Sequence, residues 1–230
     1  MKLIRRIIII ILIVLIAVVA FFIYNGKQMY KSSIDKTPLD KKVAEIRNNK
    51  DFVRLDEVPE YYINAVIAVE DHRYKEHGAV DLIGICRAIV SNAKAKEFNE
   101  GGSTVTQQVA KNLYYIGEGN YIYRKIAECF IAFDLENHYS KDEILELYMN
   151  IIYFGDGYYG ISQAAKGYYN KEPKDLTLYE ATMLAGVPNA PSVYAPTVNP
   201  DLAKSRQNKV LSDMVEYGFL SQEEADKIMN

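Results

Sequence analysis

The sequence predicts a mainly α-helical protein with one apolar helix near its N-terminus. Residues 7–24 form an uncharged apolar run. After residue 50, apolar residues recur at helical spacing, and no alternating strand pattern extends beyond a few residues near 52–55. Hydroxyl residues followed three positions later by a glutamate, which are the capping boxes of helix starts, recur in the second half of the chain.

The apolar run predicts a membrane anchor. Eighteen residues at about 1.5 Å each nearly span a hydrocarbon core of about 30 Å. Lys2, Arg5 and Arg6 precede the run, and the positive-inside rule then predicts a cytoplasmic N-terminus. A cleaved signal peptide is the alternative, although the run is longer than a typical signal core. We expect a cytoplasmic tail over 1–6, an anchor over 7–24, a polar, lysine-rich connector over 25–50 and a domain over 51–230.

Within the domain, periodicity and capping predict the helices in order. Apolar spacing indicates helices over 59–69, 81–96, 104–114 and 121–139. Capping boxes begin at Ser140, Thr177 and Ser221, and Asn199 before Pro200 caps a further helix that Gly218 closes.

Composition excludes some classes of protein. With 27 basic and 30 acidic side chains the net charge is -3, whereas a nucleic-acid binder usually has a clear basic excess. Cys86 and Cys129 could pair outside the cytoplasm, but we favour two separate thiols on apolar helix faces.

A carboxylate ends the first predicted helix of the domain. Glu70 follows the apolar stretch 65–69 and begins a polar segment that runs to residue 81. A carboxylate at the end of a core helix is partly desolvated, which raises its pKa and makes it a better proton acceptor near neutral pH. The alternative is an ordinary surface acid at a helix end.

Two glycines lead into the helix predicted over 104–114. Gly101 and Gly102 precede hydroxyl caps, so backbone amides at the positive end of a helix dipole are available to a phosphate or pyrophosphate. Lys111 and Asn112 lie two turns further on and add charge and hydrogen-bonding groups. The spacing is not that of a P-loop, and a glycine before a capped helix is also common in proteins without such a site.

A second carboxylate lies beside cations on the next helix. Arg124 and Glu128 are four residues apart, so an intrahelical ion pair is the structural interpretation. The functional interpretation is a carboxylate beside cationic groups, including Lys125, that stabilise a leaving phosphate.

In this order and spacing, the motifs resemble those of the family 51 glycosyltransferases, the peptidoglycan transglycosylases that occur alone or fused to transpeptidase domains. The resemblance covers roughly residues 50–200 and includes the segments 141–150, 152–155 and 180–188. It implies an α-helical, lysozyme-like domain that polymerises lipid II in the bacterial cell membrane, with the domain outside the cytoplasm.

The resemblance also implies roles for single residues. Glu70 would take the proton from the 4-hydroxyl of the acceptor sugar, whose oxygen attacks C1 of the lipid-linked donor with inversion and release of undecaprenyl pyrophosphate. Glu128 would lie near that pyrophosphate, acting through a divalent cation (Mg²⁺ or Mn²⁺) or as a proton donor. No organic cofactor is expected. The implied substrate-binding residues are Asp71, Ser103, Gln108, Lys111, Asn112, Arg124 and Lys125.

Two positions depart from the family pattern. Ala79 stands where the family usually has glycine, and Asn120 stands where it commonly has an arginine eight residues before the second glutamate. The second departure removes one cation that the resemblance implies for the pyrophosphate clamp, and Arg124 or Lys125 is expected to compensate.

The tyrosine-rich segment 114–123 suggests a flap that touches the bilayer, and a surface loop with partly packed tyrosines is the alternative.

The expected partners are lipid II, the growing glycan chain and membrane lipid, with other cell-wall synthesis or division proteins as further candidates and no nucleic acid.

Three other functions fit the sequence less well. A hydrolase or lytic transglycosylase does not need the segment 101–108 or a basic pyrophosphate site, and an inactive scaffold is supported by Asn120 alone. Ser91 and Lys94 match the S-x-x-K motif of transpeptidases, but no K-T-G follows, so we expect no transpeptidase domain.

Overall fold

The computed structural model describes residues 2–95, 101–115, 117 and 119–229. Within these ranges the chain folds into α-helices joined by turns and contains no β-strand, so the prediction of a mainly α protein is confirmed. The helices are α1 Lys2–Lys36, α2 Leu39–Arg47, α3 Glu60–Glu70, α4 Leu82–Ala95, α5 Val105–Tyr114, α6 Tyr121–His138, α7 Lys141–Ile151, α8 Gly160–Tyr169, α9 Leu178–Gly186, α10 Pro191–Tyr194, α11 Pro200–Glu216 and α12 Gln222–Met229.

Helix α1 contains the predicted anchor. It is long and apolar enough to cross a membrane by length and composition, and none of its most apolar stretch is buried against the rest of the protein. The C-terminal part of α1 is different, since it packs along α6. Tyr30 there donates a 2.7 Å hydrogen bond from its hydroxyl to Asp134 of α6.

The polar segment 25–50, expected as a connector, is helical for most of its length. Residues 25–36 continue α1, and α2 follows after a short turn. Leu39 and Val43 of α2 are buried in the hydrophobic core, and Tyr114 of α5 donates a hydrogen bond to the carbonyl of Thr37. The lysines of this segment are spaced so that an apolar face remains, and that face packs on the domain.

One hydrophobic core joins the helices of the domain. Helix α5 lies between α6 and α7, while α3 packs against both α9 and α11. The largest fully buried side chains include Tyr62, Tyr74, Tyr148 and Phe154, so tyrosines fill much of this core. Because α3 lies between two helices from the C-terminal third of the chain, its last residue is brought beside residues that are distant in sequence.

The predicted capping signals begin the helices. Ser140 and Thr177 each accept a hydrogen bond from the backbone N–H three residues on, and Ser221 does so at the start of α12. Asn199 occupies the N-cap position of α11, as predicted, although its side chain makes no capping hydrogen bond. Pro200 supplies a preset backbone angle at the first turn instead. Gly218, at φ 77°, follows the end of α11.

The two cysteines do not form a disulfide. Cys86 is exposed on α4, and Cys129 on α6 is half-buried and accepts a 3.1 Å hydrogen bond from Gln107. The prediction of two separate thiols is confirmed. Ser91 and Lys94 lie on α4, and the side chain of Lys94 is outside the described residues.

Candidate active site

A cleft of about 410 Å³ opens beside the end of α3. Its walls come from the residues that follow α3, from the start of α5 and from α6 and α11, which lie far apart in the sequence. Six of the predicted site residues line this cleft: Glu70, Asp71, Ser103, Gln108, Lys111 and Lys125.

Glu70 is the last residue of α3 and carries a carboxylate in the cleft wall whose pKa is raised. Its Oε2 accepts a 2.7 Å hydrogen bond from the side-chain amide of Gln108. Its Oε1 is buried and has no hydrogen-bond partner among the described residues, although part of the side chain is exposed to the cleft. Burial raises the pKa of Glu70, the Gln108 hydrogen bond and the charge of Arg206 lower it, and the net shift is upward. This is the environment predicted for a proton acceptor near neutral pH.

Asp71 links the loop after α3 to the start of α5. Its Oδ2 accepts a 3.1 Å hydrogen bond from the backbone N–H of Val105, and its Oδ1 is 2.7 Å from His77 Nε2. Both side chains of the Asp71 and His77 pair are only 6% exposed. Asp71 lines the cleft as predicted for a substrate-binding residue, but these contacts indicate that it also fixes the geometry of the loop.

The departure at Ala79 is accommodated in the same region. Ala79 is buried, and its carbonyl accepts a 2.9 Å hydrogen bond from the hydroxyl of Thr104, the residue that caps α5. The loop after His77 is thereby attached to the helix that carries Gln108 and Lys111.

Lys125 connects the cleft to the second predicted carboxylate. Its ammonium donates a 2.8 Å hydrogen bond to Ser103 and a 2.6 Å hydrogen bond to Oε2 of Glu128. Arg124 Nε lies 3.4 Å from the other oxygen of Glu128, which is an ion-pair distance without hydrogen-bond geometry. Glu128 is fully buried and does not line the cleft. It therefore lies behind Lys125 and holds that cation toward the substrate space.

Two other predicted substrate-binding residues lie outside the cleft wall. Asn112 donates a 2.8 Å hydrogen bond to the carbonyl of Gln108 one turn earlier, and Arg124 lies against the ring of Tyr121, 5.3 Å from its centroid. Lys111 is exposed in the cleft. Of the helix α5 residues, Gln108 and Lys111 thus face the substrate space and Asn112 supports the helix.

Asn120, the second departure from the family pattern, has a local structural role. It is the N-cap of α6, and its side-chain oxygen accepts hydrogen bonds from the backbone N–H groups of Ile122 and Tyr123. Asparagine is a favoured residue at this position.

In the suggested flap over 114–123, Tyr115 is fully buried, so it belongs to the core and not to a membrane-facing tip. Ile116 and Glu118 are outside the described residues.

The residues around Glu128 do not fit a divalent cation. Both of its oxygens face side-chain cations, and a metal ion placed there would be repelled by Lys125 and Arg124. Elsewhere, Asp71, His77 and Asp81 bring their ligand atoms within 4.8 Å of one another. Arg73 pairs with Asp81 at 3.2 Å, and His77 pairs with Asp71, so this group is a network of ion pairs and hydrogen bonds.

Helix α11 supplies the cleft residues that the sequence motifs did not reveal. Arg206, Lys209, Asp213 and Glu216 all line the cleft, and their spacing of three, four and three residues places them along one face of the helix. Asp213 is buried and pairs with Lys209. The sequence signal that could have identified these cleft residues is a helix with one charged face and with buried polar residues. A charged helix face is usually a solvated surface, so this signal is weak.

His72, Arg87 and Tyr217 form part of the cleft rim. The imidazole of His72 stacks on the ring of Tyr217 with centroids 4.0 Å apart, and Arg87 Nη1 lies 2.7 Å from His72 Nε2. Burial lowers the pKa of His72, and the charge of Arg87 lowers it further. The neutral imidazole is therefore favoured, and it joins the loop after α3 to α4 and to the end of α11.

The arrangement combines two chemical capacities in one cleft. Glu70 offers a carboxylate whose raised pKa makes it a better proton acceptor. Lys111, Lys125 and Lys209 offer positive charge to an anionic group within the same space. Such a cleft is suited to a reaction in which a hydroxyl loses its proton as an anionic group departs.

Comparisons with known proteins show which family the chain is similar to. A family model described as transglycosylase matches residues 38–215. Penicillin-binding protein 1A from Neisseria lactamica is 46% identical over 181 residues, which are 79% of this chain and 23% of that protein. Penicillin-binding protein 1F from Bacillus subtilis (strain 168) is 44% identical over 177 residues, which are 77% of this chain and 25% of that protein.

Among solved structures, the crystal structure of penicillin-binding protein 1A from Haemophilus influenzae is 26% identical, with a TM-score of 0.47 over 78% of this chain and 17% of that chain. The chain spans about a quarter of the length of the curated relatives it matches. The transglycosylase match includes α2 through most of α11 and contains every predicted site residue. The chain therefore belongs to the transglycosylase family, the family 51 glycosyltransferases that its motifs resemble.

Proposed function

We propose that this chain is a peptidoglycan glycosyltransferase that polymerises lipid II into β-1,4-linked glycan strands at a membrane. The observation that carries the proposal is the position of Glu70, a carboxylate with a raised pKa in the wall of a cleft that also holds lysines. Family membership supports the same reaction class.

In the proposed reaction, Glu70 accepts the proton of the acceptor sugar's 4-hydroxyl. The oxygen attacks C1 of the lipid-linked donor from the face opposite the pyrophosphate, so the new C1–O bond forms with inversion as the old one breaks. Undecaprenyl pyrophosphate leaves with the bonding electrons. Lys111 and Lys125 stabilise its negative charge, and Glu70 then returns the proton to solvent.

The geometry around Glu128 supports a positioning role. Because the carboxylate is buried and bonded to Lys125, it fixes the ammonium that also contacts Ser103. No step is assigned to a metal ion at this residue, since the two neighbouring cations occupy both sides of the carboxylate. Polymerisation assays with and without Mg²⁺ or Mn²⁺ test whether either ion acts elsewhere in the reaction.

The proposed location follows from α1. We infer that residues 7–24 cross the membrane once, with Lys2, Arg5 and Arg6 on the cytoplasmic side and the cleft outside. The cleft residues then lie where a lipid-linked sugar on the outer leaflet is available. The length and apolar character of α1 support this arrangement.

The test is polymerisation of labelled lipid II by the detergent-solubilised protein, with and without Mg²⁺ or Mn²⁺. We expect polymer from the wild type and a fall in kcat of about 10²- to 10⁴-fold in Glu70→Gln, which is the usual effect of removing a general base. Glu223→Gln, an exposed carboxylate on α12, is the matched control and should retain wild-type activity.

Other outcomes would contradict the proposal. Shortening of preformed glycan strands without polymer from lipid II would indicate a hydrolase or lytic enzyme. Lipid II binding without any polymer would indicate a scaffold.

A further inference from the structure

Arg206 lies in the same cleft as Glu70, although 136 positions separate them in the sequence. The helix that carries Arg206, α11, packs directly against α3, whose last residue is Glu70. Both helices also pack against α9. The relative position of the two side chains is therefore set by the helical core and not by a surface loop.

Three contacts hold the Arg206 side chain. Its Nε donates a 3.4 Å hydrogen bond to the carbonyl of Gly186, at the end of α9. The Cγ of Arg206 packs closely on Gly186: a Cβ atom at position 186, which glycine lacks, would lie only 3.0 Å from that Cγ. Its guanidinium carbon is 5.9 Å from the centroid of the Tyr194 ring. These contacts constrain the direction of the guanidinium.

The groups that act on Glu70 come from each helix packed around it. Gln108 of α5 donates to its Oε2, and Asp71 places a negative charge next to it in sequence. Tyr62 of α3 and Tyr148 of α7 carry buried hydroxyls. Burial is the larger cause that raises the pKa of each tyrosine, and the negative charge of Glu70 raises it further. Arg206 is the cation whose charge lowers the pKa of Glu70. Further titratable or charged side chains in the cleft wall are those of His72, Arg87, Lys111, Lys125, Lys209, Asp213, Glu216 and Tyr217.

We propose that Arg206 is a positioning residue for Glu70: its guanidinium, held by Gly186 and Tyr194, keeps a positive charge in the wall of the cleft that also holds the carboxylate that accepts the acceptor proton. This inference rests on the proposed function, because it assigns Arg206 a role in the same proton transfer. It extends the active site to α11, where no residue had been expected from the sequence motifs.

The physical reason is the low polarity around the carboxylate. Burial favours the protonated form of Glu70, in which the group cannot accept a proton. A fixed cation opposes that effect, and it acts more strongly across a protein interior than across water. The two effects act in opposite directions on the pKa of Glu70, and the charge of Arg206 favours the ionised carboxylate that can accept a proton.

The test compares pH–activity profiles for lipid II polymerisation. In Arg206→Gln the acid limb, which reports ionisation of Glu70, should move to higher pH, because the variant lacks the positive charge that lowers the pKa of Glu70. Arg206→Lys keeps a charge and should lie between the wild type and Arg206→Gln. Lys209→Gln is the matched control, since it removes a cation from the same helix face and should raise KM without moving the limb.

A second measurement is independent of activity. Glutamate labelled with ¹³C at its side-chain carboxyl allows Glu70 to be titrated by NMR, with Glu70→Gln identifying its signal. We expect the midpoint to rise in Arg206→Gln and to stay unchanged in Lys209→Gln. If the wild type fails to polymerise lipid II but this midpoint still moves, the proposed function fails and the coupling stands. An unmoved midpoint and an unmoved acid limb in a folded Arg206→Gln protein would overturn the inference.

Discussion

Glu70 carries an energetic conflict between burial and charge. Its Oε1 is buried without a hydrogen-bond partner among the described residues, and burial raises its pKa. Holding a carboxylate ionised in such a place costs stability, and proteins accept that cost where the group has a chemical task. Gln108 and Arg206 offset part of it by a hydrogen bond and by charge.

Replacing the carboxylate should therefore stabilise the fold above the normal pKa of glutamate. Because the folded-state pKa is raised, the protonated group favours folding at low pH, and this contribution is lost as pH rises through the folded-state pKa. We expect Glu70→Gln to raise Tm by about 2–4 °C near pH 8, the shift that about 1 kcal/mol produces in a domain of this size. Near pH 4 the difference should be small.

Thermal unfolding of wild type and Glu70→Gln near pH 8 and near pH 4 measures this difference in Tm. Glu223→Gln is the control for the loss of a carboxylate from the surface. Equal Tm values for wild type and Glu70→Gln at both pH values would mean that the buried environment does not act on this group.

Single residues differ in how far the sequence predicts them. Glu70 was predictable because a charge directly after five apolar residues marks the end of a core helix. Glu128 was predicted near a departing pyrophosphate, but its side chain is buried behind Lys125, and the direction of a side chain depends on what packs around the helix. Arg206 was missed because its contact with the site crosses 136 residues.

At the scale of elements, the start of α5 organises the cleft. Thr104 caps the helix by accepting a 3.1 Å hydrogen bond from the Gln107 N–H, and it also donates to the Ala79 carbonyl. Asp71 accepts a hydrogen bond from the backbone N–H of Val105, the first residue of α5. The helix that presents Gln108 and Lys111 is thus joined at its first turn to the loop that follows Glu70.

Removing this cap should affect stability and activity together. Thr104→Ala deletes the capping bond and leaves the buried Ala79 carbonyl without its donor, so we expect a loss of about 2 kcal/mol in the free energy of unfolding. Activity should fall at temperatures where the variant is folded, because Ser103 and Gln108 lose their fixed positions. Chemical denaturation and lipid II polymerisation measure the two effects.

Ser140→Ala is the matched control. It removes an exposed capping box at the start of α7, away from the cleft, and should cost about 1 kcal/mol with no change in activity. Full activity in the folded Thr104→Ala protein would contradict the proposed link between this cap and the cleft.

Helix boundaries were predicted well where local signals exist. Helices α3, α5 and α6 begin and end within two residues of their predicted positions, because apolar periodicity and capping residues act over a few residues. Helix α4 begins within two residues of its predicted start, and its predicted end at residue 96 lies outside the described residues. The segment 25–50 was expected as a connector because its lysines suggested solvent on all sides. Only Leu39 and Val43 of α2 are buried in the core, and two apolar residues do not predict a packed helix face unless the surface they contact is known.

At the scale of the whole molecule, the cleft is assembled from segments far apart in the chain. The loop after α3, the first turns of α5 and α6, and the face of α11 each supply part of it. The chemistry is divided in the same way, with the proton acceptor at the end of α3 and cations on α5, α6 and α11. The family match extends over all of these segments, which supports treating them as one site.

The central claim is that this cleft transfers a sugar from a lipid pyrophosphate to a hydroxyl. The most direct measurement is the stoichiometry of the products when the protein is incubated with doubly labelled lipid II. We predict nearly one undecaprenyl pyrophosphate released for each β-1,4 bond formed, with both products formed about 10²- to 10⁴-fold more slowly by Glu70→Gln. Release of undecaprenyl pyrophosphate with free disaccharide and no polymer would contradict the claim, because water and not a sugar hydroxyl would then be the acceptor.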